Sequence, residues 1–259
     1  MLKGCNRLRR KATRPGATRV VVCAGDSITR GTVGSNYVRL LQQRFARRGV
    51  EFVNSGVNGD LAWNLLQRLD QIIACRPDVV TLLVGTNDVN ATLTGGNVNF
   101  YRWSKRLPQA PTPDWYTDCI DAILRRLTAE TSASIAVLDI PMLGEDLGSD
   151  ANRRVEAYNS ALRAVAATHG VPCLPLHERL RGLLPPGHRP PPYSGRLVQM
   201  LIALLGRPLR LGFSRSRGTS AGRGLAVLTD HMHLSDRGAE VVAELIDEFV
   251  LSSDKAQSP

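Results

Sequence analysis

The chain has 259 residues, 43% of them hydrophobic and 22% charged, which suits one α/β domain with an ordinary core and excludes collagen-like and charge-swollen disordered chains. Its formal charge is +10, but residues 1–19 and 181–229 hold fifteen Lys or Arg and no acid, leaving about −5 for the remainder. Five scattered cysteines, odd in number and without metal-ligand spacing, exclude a disulfide framework and a zinc site.

The basicity thus belongs to a tail and an insertion. Residues 1–18 read as a solvated, disordered arm: they lack the apolar stretch of a signal peptide, and Leu2-Lys3-Gly4-Cys5 lacks the apolar segment that precedes a lipidation site. No window reaches the length of a membrane span. The expectation is a cytoplasmic protein with a domain over 19–255.

The first apolar run, Val20–Ala24, leads directly into Gly25-Asp26-Ser27-Ile28-Thr29. Further runs follow at Val50–Asn54, Val79–Val84, Ile135–Ile140 and Val171–Leu174. Rich in Val, Ile and Leu and without alternation, they predict strands buried on both faces of a parallel sheet. Helical spacing occupies Tyr37–Arg48, Ala62–Ile73, Trp115–Thr128, Ala151–His169 and Asp236–Leu251. Ser35 or Asn36 suits the first as a cap, Pro113-Asp114 opens the third, and Ser235 precedes the last. Strand and helix alternating in this way predict a doubly wound sheet with helices on both faces.

Two segments interrupt the rhythm. Residues 91–112, rich in Asn, Gly and Pro, read as a loop overhanging the carboxyl edge of the sheet. Residues 181–229 read as a long insertion containing the apolar stretch 197–205 flanked by Arg196, Arg207 and Arg210. Too short to span a bilayer, that stretch suits an interfacial helix, a lid, a dimer face or a helix packed on the domain. Cys23 and Cys173 read as core residues, and His169, His177 and His188 as surface or loop residues.

Three motifs lie at strand ends or near the carboxyl terminus: Gly25-Asp26-Ser27, Gly85-Thr86-Asn87-Asp88 and Asp230-His231-Met232-His233. Singly each is an ordinary turn. Together, in this order, they supply a hydroxyl nucleophile, an amide donor, a base and a carboxylate, the inventory of acyl transfer through a serine.

This combination resembles the SGNH (GDSL-type) hydrolase family over roughly residues 19–180 and 229–251. A fourth block, Asn54-Ser55-Gly56-Val57-Asn58-Gly59-Asp60, completes the resemblance. It implies a three-layer α/β/α sandwich around a flavodoxin-like, five-stranded parallel sheet. It also implies Ser27 as nucleophile, Asp230 and His233 as its catalytic partners, and an oxyanion hole built from Ser27, Gly59 and Asn87. His231 departs from the family pattern and adds a second candidate base, although the spacing points to His233. A glycine at 59 is expected because a side chain there would obstruct close approach of the backbone. Asp26, Asp60 and Asp88 are expected to brace their turns.

No phosphate-binding loop, dinucleotide fingerprint or metal-ligand spacing is present, so no cofactor is expected. The leading reading is a serine-dependent carboxylic-ester hydrolase acting on an acyl lipid, lysophospholipid or short-chain ester, with a peripheral contact to anionic membrane through residues 196–217. The alternative within the family is a carbohydrate O-deacetylase, with Tyr101, Trp103, Trp115 and Tyr116 as candidate sugar-stacking side chains. The alternative of another class is a non-catalytic basic adaptor. Nucleic acid is not an expected partner, since the basic segments lack interleaved aromatics.

Overall fold

The computed structural model describes residues 19–193, 195 and 224–255. The basic tail over 1–18 and the segment 196–217, for which a membrane contact was the expectation, lie outside the described residues.

Five strands form one parallel sheet: β1 (Arg19–Gly25), β2 (Val50–Gly56), β3 (Val79–Leu83), β4 (Ser134–Leu138) and β5 (Cys173–Leu174). Their spatial order is β2-β1-β3-β4-β5. The described helices are α1 (Ser27–Arg30), α2 (Tyr37–Arg44), α3 (Ala62–Gln67), α4 (Leu69–Ile73), α5 (Thr86–Ala91), α6 (Gly95–Ser104), α7 (Pro113–Glu130), α8 (Asp150–Thr168), α9 (Leu176–Arg181) and α10 (Asp236–Lys255).

The period of two along a strand sorts β1 between two cores. Val20, Val22 and Ala24 pack with the buried side chains of α3, α4, α7 and α8, whereas Val21 and Cys23 pack with those of α2, α9 and α10. Helices therefore cover both faces, as expected for a parallel sheet without a solvated side. The three layers follow from this sorting. Cys23 is buried, while Cys173 is only partly so.

Helix starts follow capping chemistry. Asn36 Oδ1 accepts from Arg39 N at 2.9 Å and caps α2, while the Ser35 hydroxyl turns away to Asp236. The Thr112 hydroxyl accepts from Trp115 N with Pro113 at the first turn of α7. Ser235 Oγ accepts from Gly238 N at the start of α10.

Several expectations change. The helix read over 62–73 breaks at Arg68, whose side chain is directed to the sheet edge instead of along the helix surface. Residues 91–112 contain helix α6 rather than loop alone. Thr94 caps it, and Asn97 and Tyr101, four residues apart, point into the domain. Tyr101 joins Leu61, Ala91 and Leu107 in a small third core. The polar composition concealed this helix because Asn97 is buried through hydrogen bonds, to the carbonyls of Asn90 and Gly195, and not through apolar contact.

His177 is neither a surface nor a loop residue, while His188 is a partly buried loop residue. His177 is 5% exposed, with its N–H donated to Asp139 Oδ1 and its ring between Ile140 O and Glu156. His188 Nε2 lies 2.6 Å from Glu145 Oε2. No described helix is long and apolar enough to cross a membrane.

Candidate active site

The strand order places β1 between β2 and β3, so the chain leaves β1 toward one side and later returns on the other. Ligand crevices of open α/β sheets form at such a switch, beyond the carboxyl ends of the strands. Ser27 follows β1 there and Asn87 follows β3, while Gly59 lies in the turn after β2.

Ser27 opens α1, capped by Asp26, whose Oδ1 accepts from Ile28 N at 2.9 Å. At the first position of a helix the Ser27 N–H has no intrahelical acceptor. His233 Nε2 lies 2.9 Å from Ser27 Oγ, and His233 Nδ1 lies 2.8 Å from Asp230 Oδ2. Asp230 Oδ1 also accepts the backbone N–H groups of His233 and Met232, at 2.8 and 3.2 Å, so the carboxylate holds both the ring and the turn that carries it. Burial pushes the Asp230 carboxyl up, but its bonds to His233, with the backbone N–H groups, outweigh this and bring it below the ordinary value. An imidazole held by such a carboxylate and aimed at a hydroxyl can take that hydroxyl's proton.

The second candidate base stands apart. His231 has φ 73°, stacks on Tyr193 with ring centroids 5.6 Å apart, and accepts Gly144 N–H at its carbonyl. Only His233, of these two, meets Ser27.

Gly59 and Asn87 line the same cavity as Ser27 and His233, together with Val33, Phe100, Tyr101, Lys105 and Tyr193; its volume is about 280 Å³. Gly59 adopts φ 73°, and a Cβ there would meet nothing closer than Lys105 Nζ at 3.7 Å. The glycine suits this left-handed backbone. Asn87 Nδ2 donates to Asp60 O at 3.0 Å and to Asp26 Oδ2 at 3.2 Å, which sets that end of the amide between the turns carrying Ser27 and Gly59.

Arg68 ties these turns together. Its guanidinium binds Asp60 Oδ2 at 2.8 Å, Ser55 Oγ at 2.9 Å and Gly25 O at 2.8 Å. Lys105 Nζ reaches Asp60 Oδ1 and Asn58 O, both at 2.8 Å. Asp60 thus braces its turn through two cations. Asp88 accepts Ala62 N–H and so also anchors the start of α3. Burial raises Asp26 to about 7 and Asp88 to about 8; backbone N–H groups oppose this, and neighbouring carboxylates add to it.

Glu145 is a partner that sequence reasoning missed. Fully buried, it accepts the N–H groups of Ala226, Val227 and Leu228 at 2.7–3.0 Å, directly upstream of Asp230. Nothing in the Gly144-Glu145-Asp146 sequence marks it, because its partners are the His188 ring, 43 residues away, and three main-chain groups 81 and more residues away. Of the four aromatics considered for sugar stacking, Tyr101 and Tyr116 are buried, and Trp115 packs against Trp63. Trp103 is 81% exposed on α6, the helix that supplies Phe100 and Tyr101 to the cavity. Among the described residues no cluster of three or more His, Cys, Asp or Glu is arranged to hold a metal ion.

The model of the GDSL-like Lipase/Acylhydrolase family matches residues 23–241, which takes in Ser27, Gly59, Asn87, Asp230 and His233. The chain belongs to that family. The GDSL-like chain is 29% identical over 145 residues to an acetylxylan esterase of Geobacillus stearothermophilus, a match spanning 52% of this chain and 60% of that protein. Among solved structures it is similar to the acetyl xylan esterase AlAXEase, with TM-score 0.61 and 20% identity over 89% of this chain and 99% of the other. It is also similar to the lipase/acylhydrolase from Enterococcus faecalis, with TM-score 0.57 and 20% identity over 90% and 95% of the two chains. These structural likenesses confirm the three-layer fold of the GDSL-like domain.

Proposed function

We propose that this GDSL-like protein is a serine esterase that removes acetyl groups from carbohydrate esters. The observation that carries the reading is the Ser27–His233–Asp230 hydrogen-bond series opening into a cavity of about 280 Å³. That is just below the usual size of small-molecule sites, about 300 to 1,000 Å³. A compact acyl group suits such a cavity better than a long lipid chain, so the lipid reading favoured by the basic insertion gives way. The likeness to an acetylxylan esterase supports the same choice.

In this reading Ser27 Oγ attacks the ester carbonyl as His233 Nε2 takes its proton, and Asp230 stabilises the imidazolium. The oxyanion is received by the N–H groups of Ser27 and Gly59 and by Asn87 Nδ2, whose longer bond, to Asp26, is the one given up. Protonated His233 returns the proton to the leaving alcohol, and water then releases acetate by the same route.

The test is hydrolysis of p-nitrophenyl esters from acetate to palmitate, together with acetate release from acetylated xylo-oligosaccharide. Activity confined to acetyl and other short acyl groups, with release from the oligosaccharide, is the expected result. A rate that rises with chain length to palmitate overturns the carbohydrate reading. No hydrolysis of any ester overturns the esterase reading itself.

A further inference from the structure

Asn87 is held at its other end by a directed series of hydrogen bonds. Tyr101 OH donates to Asn87 Oδ1 at 2.8 Å. Asn90 Nδ2 donates to Tyr101 OH at 3.1 Å, and Tyr193 OH donates to Asn90 Oδ1 at 2.7 Å. Each donor meets an acceptor in one direction, so the series, together with the acceptors Asp60 O and Asp26 Oδ2 at the other end, holds the Asn87 amide with Oδ1 toward Tyr101 and Nδ2 toward the turns of Ser27 and Gly59. An amide is nearly symmetric in shape, so it takes its orientation from its partners and not from packing.

The origin of the series is a residue with three attachments. Besides its bond to Asn90, Tyr193 stacks on His231, which lies between Asp230 and His233. It also packs on Gly144, where an added Cβ would stand 2.6 Å from Tyr193 Cβ. Gly144 N in turn donates to His231 O at 2.8 Å. Close by, Gly195 O accepts from Asn97 Nδ2, which also binds Asn90 O. The chain beside Tyr193 is therefore fastened to the same helix pair, α5 and α6, that carries Asn87 and Tyr101.

We infer that Tyr193 is a positioning residue of this enzyme: acting through Asn90 and Tyr101, it fixes the Asn87 amide with its N–H end toward the oxyanion. The inference rests on the proposed role of Asn87 and extends it to a residue in the stretch that the sequence marked only as an insertion. A preorganised donor is worth more in the transition state than in the ground state, because it needs no reorientation when charge develops. Loss of the series therefore lowers kcat and leaves KM nearly unchanged.

The experiment compares Tyr193→Phe, Tyr101→Phe, Asn87→Ala and the double variant Tyr193→Phe/Asn87→Ala on p-nitrophenyl acetate. The phenylalanine variants keep the rings and delete only the hydroxyls, and Tm is recorded for each. Asn87→Ala is expected to lower kcat by about 10²–10³. Tyr193→Phe is expected to lower kcat by about 5–20-fold, and Tyr101→Phe by more, with KM within about twofold in both. Once Asn87 is alanine, adding Tyr193→Phe should change kcat by less than about 1.5-fold, the non-additivity of residues acting as one unit. Equal losses from Tyr193→Phe in both backgrounds, or no loss in the wild-type background, overturn the inference. If Asn87→Ala alone leaves kcat intact, the role of Asn87 has failed first, and the inference falls with it. Should Tyr193→Phe fail to fold, Tyr101→Phe with and without Asn87→Ala decides by the same comparison.

Discussion

Ser27 Oγ and His233 Nε2 stand 2.9 Å apart, although 206 residues of sequence separate them. The distance is that of a hydrogen bond, so the base is within reach of the proton it is proposed to take. Residues that act as one unit lose activity together. Ser27→Ala and His233→Ala are each expected to lower kcat on p-nitrophenyl acetate by about 10⁶, and Asp230→Ala by about 10⁴. The Ser27→Ala/His233→Ala double variant should be no slower than either single one. A His233→Ala enzyme with tenfold or smaller loss would remove His233 from the mechanism.

Gly59 is expected to tolerate no other residue, for a backbone reason. A side chain at φ 73° costs about 1–2 kcal/mol. Gly59→Ala should therefore lower both stability and kcat. Trimming the nearby Lys105 to Ala should not rescue it, since the space was already sufficient. Rescue in a combined thermal melt and rate assay would point to a clash with Lys105 instead of backbone strain.

Glu145→Ala leaves the N–H groups of Ala226, Val227 and Leu228 without their acceptor. A buried unsatisfied donor costs about 1–3 kcal/mol, and the three lie together on one segment. The expected loss is about 3 kcal/mol or more in urea unfolding, with kcat falling as the Asp230 turn loosens. A loss under about 1 kcal/mol would mean that water replaces the carboxylate.

The carboxyl of Asp88, pushed up to about 8 by burial, makes stability depend on pH. The native state keeps a proton that the unfolded chain releases near its ordinary value of 3.8. Its contribution is full below that value and is lost as pH rises toward about 8. Asp26, raised to about 7, acts with the same sign. Asp88→Asn keeps an acceptor for Ala62 N–H and removes the titration. It should raise Tm above wild type at pH 8 by several degrees, with the gap closing near pH 4. A gap that widens on acidification would reverse the assignment.

Trp103 offers the exposed ring that a pyranose could stack on. Trp103→Ala should raise KM for acetylated xylo-oligosaccharide by about 3–10-fold and leave p-nitrophenyl acetate unchanged, in line with the worth of an aromatic contact. Equal effects on both substrates would place Trp103 outside carbohydrate recognition.

Strands were readable because each holds a short apolar run, and the observed β1 and β2 each exceed the run by only two residues. Ser27, Gly59, Asn87, Asp230 and His233 were legible as motif positions, and the fold brings all five to one cavity. What the sequence hid was polar: α6 with its buried Asn97, the Arg68 brace, and Glu145 with its main-chain partners. Such residues earn their burial through hydrogen bonds to distant groups, and neither hydropathy nor periodicity records a partner. His177 misled for the same reason, since imidazole looks like a surface group until Asp139 and Glu156 are seen around it.

The two strands of chain that meet at Glu145 have a further consequence. His188 and Ala226 bind the same oxygen, at 2.6 and 2.8 Å, so the polypeptide departs and returns at a single point. Such a junction is tolerant of length. Doubling a loop whose ends are already pinned costs only about 0.6 kcal/mol. Sequence inserted between Gly195 and Ala226 should therefore change in length at little cost while Tyr193, the serine and the histidine keep their places. Glu145 makes this one junction a place where new binding surface can be grafted onto an unaltered reaction centre.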